Sequence, residues 1–144
     1  MSALIPADDS VMVRDYILRG ASKEIQTTRL PEIIMAGPAD SSKTISCCIL
    51  IDKLAREYKN NQIIIVRKRR TDMLASVLQT YTKKVLTDPT DVKLMGGSSP
   101  MWFDYPNGSR IWVAGIDKES KVLSAEFDVI YVNQAEELAL QEWE

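Results

Sequence analysis

This sequence predicts an α/β fold built on a mostly parallel sheet, and three observations carry the prediction. Apolar runs of strand length alternate with amphipathic stretches of helix length. One run, at 62–66, has four consecutive β-branched residues, Ile63, Ile64, Ile65 and Val66, as a parallel strand covered on both faces requires. Pro106, Asn107 and Gly108 separate two short strand-like segments, a strong hairpin signal.

Residues 1–30 read as an N-terminal approach segment. In it Asp9 and Ser10 can cap a short helix through Val13, Tyr16 and Ile17 that ends near Gly20. Residues 30–36 (L-P-E-I-I-M-A) then read as a buried strand, because the run is short and β-branched. A loop over 37–42 leads into a helix over 43–58, with Cys47, Ile51, Leu54, Ala55 and Tyr58 on one face. Lys59, Asn60 and Asn61 end it, and the strand at 62–66 follows, with four basic residues at its C-terminal end. A second helix is expected over 72–86, apolar at Leu74, Val77, Leu78, Tyr81 and Val85. Asp88 with Pro89, and residues 96–100, are loops; strands at 101–105 and 110–115 flank the hairpin turn. Residues 127–132 form a last buried strand ahead of an acidic stretch, 134–144.

The chain has 144 residues, enough for one domain with a core. A net charge of −2 gives no bulk signal for nucleic acid, so any such contact must come from a local patch. No apolar run reaches the ~18 residues of a membrane span, and the N-terminus lacks a signal-peptide pattern. The two cysteines, Cys47 and Cys48, are adjacent, close no useful loop, and read as small core residues of a cytosolic protein. With no histidine, a zinc site is not expected.

Residues 37–44 read G-P-A-D-S-S-K-T, which matches G-x-x-x-x-G-K-[ST] except that Ser42 replaces the second glycine. Between an expected strand and an expected helix, such a loop turns backbone N–H groups toward phosphates at the positive end of the helix dipole. Gly37, Ser41, Ser42, Lys43 and Thr44 are therefore the candidate nucleotide-binding residues. Lys43 would reach the β- and γ-phosphates of ATP, and the Thr44 hydroxyl would bind Mg²⁺. Ser42 adds a Cβ where backbone approaches phosphate, and Asp40 brings a negative charge that repels the anion by up to about 2 kcal/mol. The competing structural reading is a Gly-Pro turn before a helix capped by Ser41 or Ser42.

Nucleotide hydrolysis needs a carboxylate for Mg²⁺ and usually a glutamate to activate water. After the 127–132 strand come amides instead, Asn133 and Gln134. Asn133 is a weak candidate metal ligand, and Gln134 cannot accept a proton from water. Glu136 and Glu137 lie one step further on and are candidate substitutes; acids also occur at helix starts for the dipole alone.

These features together resemble the large terminases, the ATP-driven DNA-packaging motors of tailed phages. The most specific part is Y-P-N-G-S-R-I-W-V-A-G-I-D-K-E-S-K-V-L-S-A-E-F-D-V-I-Y-V-N-Q-A-E-E-L, at 105–138. Family members carry a similar P-N-G-S-R-I, a G-x-D, a serine before the strand and an acidic helix start ending in E-L. I-I-V-R-K-R-R-T, at 64–71, is similar to the family's strand and Arg-Lys pair. R-G-A-S-K-E-I, at 19–25, is similar to the segment that helps hold the adenine. The resemblance implies a P-loop NTPase core of the RecA-like (ASCE) kind, with 1–30 as the adenine-side approach and 31–144 as its first half, incomplete at the C-terminal side. It implies ATP and Mg²⁺ as ligands, with Gln134 at the catalytic glutamate position and Asn133 at the metal-binding acid. It further implies double-stranded DNA, a portal protein and a small terminase subunit as partners, a homo-oligomeric ring, and the host cytoplasm. Gln134 is then either an engineered change or natural variation with Glu136 or Glu137 acting. The chain is expected to be a piece or a truncated product of a longer protein that continues into a nuclease domain.

Arg67, Lys68, Arg69 and Arg70 form the densest basic cluster, at the strand end where ligands bind in parallel sheets. They are the candidate DNA or inter-subunit contacts, against the alternative of a solvated strand end. Trp102, Phe103, Tyr105 and Trp112 suggest packing more than base stacking. The leading function is an ATPase module of a DNA-packaging motor. A non-hydrolysing nucleotide- or partner-binding module, and a helicase-like translocase, are the alternatives.

Overall fold

The computed structural model describes residues 18–38, 42–86, 90–97, 101–116 and 126–143. Helix α1 (Ala21–Glu24) precedes α2 (Lys43–Glu57), strand β1 (Gln62–Arg67) and a 3-10 turn (Arg70–Met73). Helix α3 (Val77–Thr80) runs into a π-helical turn (Tyr81–Val85). Strands β2 (Lys93–Met95), β3 (Trp102–Asp104), β4 (Arg110–Gly115) and β5 (Val129–Val132) follow, then a 3-10 turn (Ala135–Glu137) and α4 (Leu140–Trp143). The short capped helix expected around Val13 lies outside the described residues, as do residues 87–89 and 98–100 of the expected loops.

The molecule is an α/β protein with one five-stranded sheet, in the order β2-β3-β4-β1-β5. Central β1 pairs in parallel with β4 on one side and β5 on the other, so Ile64 faces both Trp112 and Ile130. Strand β3 pairs antiparallel with β2 and with β4. The sheet is therefore mixed and not mostly parallel. The hairpin around Asn107 attaches at β4 and brings in antiparallel ladders, including the unforeseen exposed strand β2.

Strand β1 carries the core as its sequence demands. Ile63 and Ile65 join Phe103, Ile111 and Val113 beneath α2, α3 and the π-turn. Ile64 and Val66 join Ala114 on the opposite face. Burying each such side chain contributes about 1.5–3 kcal/mol, which explains why this run sits at the centre. Helix α2 buries Cys48, Ile51 and Ala55, whereas Cys47 is half-buried and Tyr58 half-exposed. The buried face is thus turned slightly from the expected one. Phe103 and Tyr105 are core residues. Trp102 and Trp112 stack on the other face with the Arg110 guanidinium 5.1 and 5.2 Å from their rings, and Arg110 is paired with Asp104 at 2.7 Å.

Two expected elements differ. Residues 30–36 form no strand: Leu30 is 66%, Ile33 43% and Ile34 93% exposed. A strand needs a ladder as well as a composition. Both sides of β1 are already taken, and this segment joins neither edge of the sheet. The expected helix at 72–86 is broken into 3-10, α and π turns. Ser76 breaks it, because its Oγ donates to the Asp72 carbonyl at 2.6 Å and accepts from Arg67 at 2.9 Å, in competition with helical bonding.

Candidate functional site

The loop before α2 is closed by Lys43. Its ammonium reaches back to donate to the carbonyls of Gly37, at 2.5 Å, and Pro38, at 2.6 Å. Asp40 and Ser41 lie outside the described residues. Ser42 adopts the left-handed conformation, φ 66° and ψ 16°, and makes no side-chain capping bond. That conformation is the reason the motif prefers glycine at this position. Helix α2 has 15 residues and no acid in its first turn, so the positive end of its dipole is not neutralised from within the helix. Thr44 is half-buried in that first turn.

Relief of the left-handed strain at Ser42 is testable. Ser42→Gly is expected to stabilise the chain by about 1 kcal/mol, since a Cβ in this region costs roughly that amount. A urea titration that gave a lower midpoint for the glycine variant would contradict this loop geometry.

Gln26 is a residue that no sequence pattern singled out. Its Nε2 donates to the Ser46 carbonyl at 3.0 Å, while Lys53 donates to the Gln26 carbonyl at 3.0 Å. These bonds pin the approach segment to α2. The Gln26 Oε1 is buried and has no hydrogen-bond partner. A glutamine immediately after the Arg19-to-Ile25 segment was the available signal.

At the end of β5, Asn133 is 6% exposed and its backbone N–H donates to the Val66 carbonyl at 2.8 Å. Its Nδ2 donates to the Tyr131 hydroxyl at 3.1 Å, and its Oδ1 is a buried acceptor without a partner. The Tyr131 hydroxyl and the Cys47 thiol are close enough to influence each other's titration, and Cys47 lies one turn beyond Thr44. Burial pushes both groups up, so Tyr131 and Cys47 stay protonated at neutral pH. Tyr131 thereby sets the end of β5 near the start of α2. An orphaned buried oxygen here suits a hydrated cation, but Asn133 brings no charge of its own. Among the described residues no group of three or more His, Cys, Asp or Glu side chains is placed to hold a metal.

Gln134 is exposed and left-handed, φ 56° and ψ 55°, and opens the 3-10 turn. Within the turn Glu136 is exposed. Glu137 is gripped by Arg67, with Nε to Oε1 at 3.0 Å and Nη2 to Oε2 at 3.2 Å. Lys68 contacts both carboxylate oxygens of Glu142 at 2.9 Å. The basic cluster is thus divided. Arg67 and Lys68 are engaged by the acidic stretch, Arg69 is exposed, and Arg70 opens the following 3-10 turn.

The Arg67 hydrogen bond, followed by its charge, holds the Glu137 carboxyl below its ordinary value of 4.5. A lowered folded value means that this pair stabilises the turn above pH 4.5, and that the contribution is lost as pH falls through the folded value. Carboxyl titration by NMR should place the Glu137 midpoint below 4.5 and return it toward 4.5 in Arg67→Gln. Equal midpoints in both proteins would exclude the pair in solution.

No family model, curated protein or solved structure matches this chain. None of its described helices is long and apolar enough to cross a membrane.

Proposed function

We propose that this chain is a nucleotide-binding module of the P-loop type that takes ATP with Mg²⁺, and that it belongs to a terminase-like DNA-packaging motor. One observation carries the nucleotide reading. The Lys43 ammonium closes its loop onto the Gly37 and Pro38 carbonyls at the N-terminus of the 15-residue α2, with left-handed Ser42, which makes no side-chain capping bond, between them. The motor, its double-stranded DNA, portal and small-subunit partners and its ring assembly rest on the sequence resemblance at 105–138.

On this reading the site residues divide the labour. Lys43 and the backbone N–H groups of the first turn of α2 bind the β- and γ-phosphates. The Thr44 hydroxyl and the Asn133 Oδ1 would hold Mg²⁺ or its waters, and the ion would supply charge neutralisation to the phosphates. Of the two downstream acids Glu136 is the one left to give partial help in removing the proton of the attacking water, because Glu137 is committed to Arg67, and with an amide at 134 turnover is expected near background. Titration of a fluorescent ATP analogue with Mg²⁺ tests the reading. Saturable binding that unlabelled ATP displaces is expected, and no binding at millimolar nucleotide would end it.

A second reading, a binding module that does not hydrolyse, is favoured by the amides Asn133 and Gln134 at the end of β5. Contact with DNA falls first to the exposed Arg69, with Arg70 beside it. Binding to duplex DNA should weaken as salt rises, through release of counterions. Neutral substitutions at Arg69 and Arg70 should lower affinity by a similar factor on unrelated sequences. Unchanged affinity at low salt would move the cluster to a protein interface.

A further inference from the structure

We infer that Arg67 is a positioning residue. It orders the turn after β5, and through that turn it sets Asn133 and Glu136 for metal-dependent nucleotide binding. The inference rests on the nucleotide-binding reading above and assigns it a residue outside the phosphate loop.

Arg67 ends β1 and lies one residue beyond the pairing of Val66 with Val132. Its side chain is only 13% exposed, yet both edges of the guanidinium are used. One edge grips the Glu137 carboxylate bidentately. On the other side Nη1 donates to the Asp72 carbonyl at 3.2 Å and to Ser76 Oγ at 2.9 Å. Its own carbonyl accepts from Ile116 at 3.0 Å, which fixes the backbone to the end of β4. A planar fork of donors meets two elements in this way; a lysine point charge cannot.

The turn needs such an anchor. It is a three-residue 3-10 turn with no buried residue. Two backbone bonds hold it, Glu137 N–H to Gln134 O at 3.0 Å and Leu138 N–H to Ala135 O at 3.1 Å. So short a turn is marginal without tertiary contacts. The two glutamates then differ: Glu137 anchors the turn through Arg67, and Glu136 beside it is exposed to solvent. Asn133, at the head of the turn, donates to the Tyr131 hydroxyl at 3.1 Å and through its backbone N–H to the Val66 carbonyl at 2.8 Å, one residue before Arg67.

The test compares the whole chain with its Arg67→Gln, Arg67→Lys and Glu137→Gln variants. Amide hydrogen exchange at Glu137 and Leu138 should quicken roughly 10-fold in Arg67→Gln and in Glu137→Gln, with β1 amides unchanged. The second measurement is the ratio of affinities for a fluorescent ATP analogue in Mg²⁺ and in EDTA. The wild-type preference for Mg²⁺ should shrink toward unity in Arg67→Gln while affinity in EDTA holds, because the metal-free value reads the loop alone. Arg67→Lys should restore part of the ratio at most. A merely structural arginine would lower both affinities together, and that result overturns the inference. So does unchanged exchange at Glu137 and Leu138, or an unchanged ratio in a protein that binds nucleotide. If the wild type binds no nucleotide in either buffer, the functional reading and the site role of Arg67 both fall, an outcome distinct from the others.

Discussion

Gln134→Glu is expected to raise ATP turnover by about 10²–10⁴-fold over the wild-type chain, the usual contribution of a general base. Turnover by the wild type should be close to background, because an amide cannot accept a proton from water and Asn133 offers Mg²⁺ an uncharged oxygen. Position 134 suits the experiment. It is exposed, it directly follows the buried Asn133, and its left-handed backbone sends the chain into the acidic turn. Phosphate release by the wild type, Gln134→Glu, Glu136→Gln and Glu137→Gln separates the possibilities. A rise in Gln134→Glu alone supports the alignment of this position with the family's glutamate. Brisk wild-type turnover abolished by Glu136→Gln would give the proton transfer to Glu136. Brisk turnover that both Glu136→Gln and Gln134→Glu leave unchanged would sink both assignments.

Lys43→Ala is expected to weaken ATP binding by roughly 10–150-fold, the equivalent of the 1.5–3 kcal/mol of a charge-assisted bond to phosphate. The ammonium already sits inside its loop, bonded to the Gly37 and Pro38 carbonyls. Its removal takes away both the cation and the tie that shapes the loop. Lys43→Arg separates the two effects: it keeps the charge but not the compact reach, and it should fall between wild type and Lys43→Ala. Equal affinities for wild type and Lys43→Ala in fluorescent ATP titrations would remove the phosphate-loop reading.

How much of this was legible beforehand depended on whether a signal was local. The run Ile63 to Val66 could only be a core strand, since four adjacent β-branched residues need cover on both faces. The turn around Asn107 and Gly108 specified its hairpin, and Lys43–Glu57 carried enough helical periodicity to be read almost to the residue. The candidate residues at the end of β5 were legible too, because they follow directly from where that strand stops.

Partners remote in sequence were not legible. Residues 30–36 have the composition of a strand, but a strand exists only where it pairs in a ladder, and this segment pairs with no strand of the sheet. The helix expected at 72–86 is broken because Ser76 and Asp72 bond to a guanidinium that belongs to β1. Composition showed an acidic stretch and a basic cluster. Only the parallel pairing of β1 with β5 brings their ends together, so that Arg67 takes Glu137 and Lys68 takes Glu142. By itself the sequence determined the central strand, the long helix and the hairpin, all set by interactions within a few residues. The tertiary structure alone decided which acid Arg67 holds, because an ion pair across about 70 residues depends on the sheet that closes the distance.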